Sequence, residues 1–152
     1  MTKRRKARLM CWYAAQFIGT EYRYGDDEYA GDDPIEGFDC SGFITEIRRG
    51  VGQLEPSLRL SAQMHYNELR RSGERLNRAK PGVIAFFGSS HEKISHIGLC
   101  IDAEYMIHAG GGNSKTKDSD MAAKRNAFVK MNRIDYRGDL VAIIYPFKKG
   151  GI

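Results

Sequence analysis

Residues 37–50 read GFDCSGFITEIRRG. Cys40, Phe43, Ile44 and Ile47 recur on successive turns of a 3.6-residue period, which predicts a helix over Phe38–Gly50 with Cys40 near its N-terminus. The unsatisfied amides and dipole at that end favour a thiolate, the reactive form of cysteine. A free cysteine is more often a small buried hydrophobe. Here Asp39, Ser41 and Gly42 surround it, a run too small and polar for an ordinary core face. Cys11, beside Met10 and Trp12, and Cys100, between Leu99 and Ile101, read as core residues by the same test.

Working outward, an amphipathic helix is predicted over Lys3–Gly19 from Leu9, Trp12, Tyr13 and Phe17 with neighbouring Met10 and Ala14. Asp26–Gly37 is rich in Asp, Glu and Gly and contains Pro34, so it reads as a loop. A third helix fits Ser61–Arg71, with Ser61 as N-cap and Gly73 as stop. Beyond it the pattern changes. Val83–Phe87, Ser95–Ile101, Tyr105–Ala109, Phe128–Ile134 and Leu140–Phe147 are short, rich in Val, Ile, Phe and Tyr, and separated by turn residues. Helices first and strands afterwards predict an α+β domain with a mostly antiparallel sheet.

At 152 residues, with 41% hydrophobic and 28% charged residues, one globular domain over 1–152 is expected. No apolar run approaches the roughly 20 residues of a membrane span. The basic head Lys3, Arg4, Arg5, Lys6 and Arg8 is followed by no signal-peptide pattern. Three widely spaced cysteines fit neither a disulfide framework nor a paired zinc motif. The net charge of +5 favours approach to anionic polymers without choosing among them. The arginines Arg70, Arg71, Arg75 and Arg78 are mixed with Glu68 and Glu74 and show no aromatic interleaving, which argues against a nucleic-acid module.

A cysteine nucleophile needs a base, and the base needs a third polar group to orient it. Of the four histidines, His65 lies among Arg and Glu residues of the third helix and His91 in a polar loop, so both read as solvated. His96 opens one apolar strand and His108 closes the next. A tight turn at Asp102–Glu104 would set these strand ends side by side, so that one imidazole orients the other.

With these residues in place, the chain resembles the NlpC/P60 family of cysteine peptidases. The pieces that carry the resemblance are EYRYG at 21–25, GFDCSGF at 37–43, KPGVIAFFG at 80–88, SHIGLCI at 95–101 and MIHAGG at 106–111. They cover most of the chain, from about Gly19 to Phe147. The resemblance implies a papain-like α+β core, with Cys40 as nucleophile, His96 as general base, His108 as its orienting partner and Tyr22 beside the oxyanion. It also implies that Asp39 and Ser41 line substrate subsites, with Asp39 meeting a free amine. The implied substrate is the peptidoglycan stem peptide, often cut between D-glutamate and a diamino acid, without cofactor or metal and with no obligate protein partner.

Two features depart from the family pattern. Val83 stands where many members have Asp, and the acidic stretch between Gly25 and Gly37 is longer than the usual Gly-rich connection. That stretch is expected to be a solvated loop, or else a cleft wall that favours a cationic group. With no export signal read, the expected course is synthesis in the cytoplasm followed by release or delivery to the wall, as for a phage product or secreted effector. The same Cys and His could instead serve a thiol amidase or acyltransferase on this fold, and an inactive binding member is a further alternative.

Overall fold

The structure is a computed structural model that describes residues 1–24 and 37–148. The acidic stretch between Gly25 and Gly37 lies outside the described residues. Each helix begins on a side-chain cap. Thr2 accepts from Arg5 N–H to open α1 (Lys3–Gln16), Asp39 from Gly42 N–H to open α2 (Cys40–Gly50), and Ser61 from Met64 N–H to open α3 (Ala62–Ser72). A fourth helix, α4 (Ser119–Arg125), is capped by Asp118 and ends at Asn126 in the left-handed conformation, φ 52°. Seven residues give too little periodicity for α4 to be read from sequence.

The strands are β1 (Glu21–Tyr22), β2 (Gly37–Phe38), β3 (Glu74–Leu76), β4 (Ile84–Ser90), β5 (Lys93–Cys100), β6 (Tyr105–Gly110), β7 (Phe128–Arg133) and β8 (Leu140–Tyr145). They form one eight-stranded sheet in the order β2-β1-β7-β6-β5-β4-β8-β3. Every pairing is antiparallel except β1 with β2. The α+β architecture and the five longer strands follow the sequence reading. Strands β1, β2 and β3 have two or three residues each, and only distant pairing defines them.

Alternation along the strands sorts side chains between two layers. Ile84, Phe86, Ile97, Leu99, Ile107 and Ala109 meet Met10, Phe43, Ile44, Ile47, Tyr66 and Leu69 of the helices. Ala85, Phe87, Cys100 and Met106 face the other way, against Ala7, Val83, Ile134, Ile143 and Tyr145. Full burial of each large side chain contributes roughly 1.5–3 kcal/mol. His96 alternates with Ile97, and His108 with Ile107 and Ala109, so both imidazoles share the face of Phe87.

Two expectations need correction. The buried stripe of α1 is Ala7, Met10 and Ala14, while Leu9 is exposed and Trp12 is 62% exposed. The small Ala7 faces Gly82, where an added Cβ would come within 2.5 Å of Ala7 Cβ, so close approach rather than bulk seats this helix. His65 is not solvated but fully buried. It lies on the α3 face formed by Ala62, His65, Tyr66 and Leu69, and α2 supplies its polar partners. His65 Nε2 is 2.9 Å from Thr45 Oγ1 and Nδ1 is 3.1 Å from an Arg48 nitrogen. His91 is exposed, as expected.

Candidate active site

β2 runs directly into α2 through Asp39, which places Cys40 as the first helical residue. Asp39 Oδ1 accepts from Gly42 N–H at 2.6 Å and from Ser41 Oγ at 3.2 Å. Thr45 fixes the next turn by donating its hydroxyl to the Ser41 carbonyl at 2.7 Å. Arg48 donates to His65 Nδ1, which leaves the proton on Nε2 to donate to Thr45. The start of α2 is thus tied to α3 through a closed set of donors and acceptors.

The β5–β6 ladder pairs Leu99 with Ile107 and Cys100 with Met106, and the strands part towards Ser95. Cys40 enters at that opening. Its Sγ lies 4.0 Å from the Ser95 carbonyl and receives the backbone N–H groups of Ile97 and Ser41. The thiol therefore touches both residues that flank His96. Gly98 leaves room beside them, since a Cβ there would meet Met106 Sδ at 2.6 Å and His108 Cβ at 3.3 Å.

His96 Nε2 lies 2.7 Å from His108 Nδ1, and His108 Nε2 lies 2.8 Å from Asn132 Oδ1. The Asn132 oxygen can only accept, so His108 carries its proton on Nε2 and leaves Nδ1 as an acceptor. His96 then donates from Nε2, and its Nδ1 lone pair is the basic position. The chain Asn132–His108–His96 sets the tautomer of His96. Asn132 was missed in the sequence, although strand alternation places it on the face of Lys130, which is paired with His108.

Burial, the charge of His108 and the charge of Arg137 hold the His96 imidazole well below its ordinary range. Burial foremost lowers His108 to about 4. For Cys40, burial and the Asp39 carboxylate push the thiol up to about 12, against the opposing effects of the Ser41 and Ile97 amides and Arg137. Burial thus favours the neutral form of both the thiol and the imidazole.

Tyr22 is buried, and its phenol is raised above its usual range by burial and by Cys40 and Asp39, so it stays an O–H donor. Gly112 lies on the Tyr22 ring, where an added Cβ would come within 2.1 Å of Cδ1. The structure brings Cys40, His96, His108 and Tyr22 together, with Asp39 and Ser41 at the helix cap. The Cys11 thiol donates to the Cys100 carbonyl at 3.5 Å, and both cysteines are free and set in the core layers. Among the described residues no group of three or more His, Cys, Asp or Glu is arranged to hold a metal ion.

A thiol at a helix N-terminus, against the residues that flank an oriented imidazole, is an arrangement suited to acyl transfer. The NlpC/P60 family model matches residues 19–133. The chain belongs to the NlpC/P60 family. Among curated relatives, a gamma-DL-glutamyl hydrolase of Bacillus subtilis is 27% identical over 91% of this chain and 35% of its own length. The bifunctional muramidase/DL-endopeptidase CwlT of the same organism is 26% identical over 80% of this chain and 34% of its own length. The chain thus spans about a third of the length of each. Among solved structures, the peptidoglycan hydrolase RipB of Mycobacterium tuberculosis superposes with a TM-score of 0.67 at 19% identity, covering 97% of this chain and 67% of that one. The P60 domain of a Mycobacterium avium subspecies paratuberculosis antigen gives 0.67 at 18% identity, covering 97% and 98%. These likenesses establish the NlpC/P60 fold. No helix among the described residues is long and apolar enough to cross a membrane.

Proposed function

We propose that this NlpC/P60 chain is a cysteine endopeptidase that hydrolyses a γ-D-glutamyl bond in peptidoglycan stem peptides. The observation that carries the reading is the contact of the Cys40 thiol with both residues flanking His96, whose ring is oriented by His108 and Asn132. The substrate class rests on the names of the relatives, one a γ-DL-glutamyl hydrolase and one a DL-endopeptidase.

In this mechanism His96 Nδ1 takes the Cys40 proton as sulfur attacks the scissile carbonyl. Backbone N–H at the start of α2 and the Tyr22 hydroxyl receive the developing oxyanion. The C–N bond then breaks, and protonated His96 returns its proton to the departing amine. Water, deprotonated by His96, attacks the thioester, releasing the carboxylic acid and restoring the thiol. The low basicity of His96 speeds its return of the proton, while the high pKa of Cys40 makes deprotonation the demanding step. On this reading the chain acts at the cell wall, after release or delivery from the cell that makes it.

The test is digestion of purified peptidoglycan and soluble stem peptides by wild type and Cys40→Ala, with mass spectrometry of the products. New peptide termini at one bond, absent with the variant, support the reading. Intact peptides from every wall type, with Cys40 still alkylated by a thiol reagent, would transfer the machinery to another acyl substrate.

A further inference from the structure

The connection from β7 to β8 holds residues that the mechanism above does not use. After Arg133 the chain makes a 3-10 turn, Ile134–Tyr136, and reaches Arg137. The turn sets the Tyr136 ring 5.2 Å from the His108 ring and 6.4 Å from Phe87. The Arg137 guanidinium stands 5.3 Å from the centroid of Phe87. Phe87 is the direct partner of His96 in the β4–β5 ladder, with rings 5.8 Å apart. Arg137 therefore lies one aromatic ring away from the catalytic base, on the same face of the sheet.

The guanidinium is also held in place. Asp139 Oδ1 accepts from Nε at 2.9 Å and Oδ2 from Nη2 at 2.7 Å, a bidentate fork that fixes the plane of the group. Side-chain exposures of 28% for Arg137 and 37% for Asp139 show a pair open to solvent. The Tyr136 side chain also hydrogen-bonds the guanidinium, and the group so held stays partly open to solvent, where it can meet an incoming anion. The charge of Arg137 reaches Cys40, His96 and His108.

A γ-linked glutamyl residue differs from an α-linked one in one respect that a fixed cation can read. It keeps a free α-carboxylate, separated from the scissile carbonyl by three carbons, or roughly 5 Å when extended with C–C bonds of ~1.5 Å. Resting on the function proposed above, we infer that Arg137 is a specificity-determining residue that receives the free α-carboxylate of the glutamyl residue on the acyl side of the cut bond. It favours the carboxylate over its amide and the γ-linkage over the α-linkage. Arginine suits this role because its planar fork can bind one carboxylate along one edge and a second along another.

The experiment compares alkylation of Cys40 by iodoacetate, an anion, and by neutral iodoacetamide, read by mass spectrometry of the Cys40 peptide. In both reactions sulfur bonds to carbon, iodide leaves and the thiol proton is lost, so any change in thiol basicity cancels in the rate ratio. The variants are Arg137→Gln, Arg137→Lys and, as a control of equal charge change, Lys80→Gln. The expected iodoacetate-to-iodoacetamide ratio falls about threefold to tenfold in R137Q, the size of one partly screened charge interaction, is largely kept in R137K and is unchanged in K80Q. An unchanged ratio in R137Q, or an equal fall in K80Q, overturns the proposal.

The second readout is kcat/KM on a γ-D-glutamyl stem peptide with a free α-carboxylate and on its α-amide. Wild type is expected to favour the carboxylate about tenfold and R137Q to lose that preference. Equal cleavage of both by wild type overturns the assignment to the glutamyl carboxylate. Loss of the alkylation preference in R137Q, with neither peptide cut by wild type, would leave Arg137 as an anion seat and sink the proposed hydrolysis instead.

Discussion

Gly110 lies against the ring of His108: a Cβ added to Gly110 would come within 2.5 Å of Cε1 and 2.9 Å of Nδ1. The ring is held by His96 on one side and Asn132 on the other, so it cannot swing away without losing one of them. Gly110→Ala is expected to lower kcat/KM roughly 10- to 100-fold, the usual cost of displacing a catalytic group by about an ångström. Steady-state kinetics check this, alongside a circular dichroism spectrum that stays that of the wild type.

Asn132 acts only through His108, which makes it a positioning residue. Asn132→Ala removes the acceptor that selects the tautomer and is expected to lower kcat about tenfold with KM little changed, as for other outer partners of a functional histidine. Asn132→Asp keeps the acceptor and restores most of kcat. Its added negative charge raises the basicity of both imidazoles, so the acid limb of its pH profile moves upward.

In the proposed mechanism activity needs neutral His96, so it is expected to be lost as pH falls through the pKa of that group. Because burial, His108 and Arg137 hold this pKa down, the acid limb of kcat/KM is expected below the ordinary histidine value of about 6.5. Replacing Arg137 with Gln removes one of the lowering charges and shifts that limb up in part, burial being the larger cause. The Cys40 thiol, raised to about 12, is expected to react with iodoacetamide at a rate that climbs through pH 5–8 without a plateau. A plateau in that window would reveal a resting thiolate–imidazolium pair.

His65 affects stability. Burial and the Arg48 charge lower it to about 3, whereas the unfolded chain protonates near 6.5. Its contribution is therefore complete above pH 6.5 and declines as pH falls towards 3, at roughly 1.4 kcal/mol per pH unit. Buried His96 and His108 add slopes of the same sign. Urea midpoints measured from pH 7 to 4 should fall steeply in the wild type. In His65→Gln, whose amide can serve both Thr45 and Arg48, the slope should be shallower and the stability at pH 7 lower by about 1 kcal/mol.

Much of the site follows from rules that act over a few neighbouring residues. The period of Phe43, Ile44 and Ile47 forms α2, Asp39 caps it, and Cys40 stands where the helix amides are unsatisfied. Alternation along β5 and β6 puts His96 and His108 on one face, and a short turn sets the strands side by side. The rest depends on residues distant in the chain and exists only once they meet. Two-residue strands carry no period, so β1 and β2 exist only because Glu21 meets Gly37 and Phe128. His65 is buried because Thr45 and Arg48 satisfy both of its nitrogens, a compensation that its polar neighbours in sequence concealed. Asn132 and Arg137 join the site through strand register and the β7–β8 turn. Both are polar residues in polar surroundings, and only the closure of the sheet brings them to the two histidines.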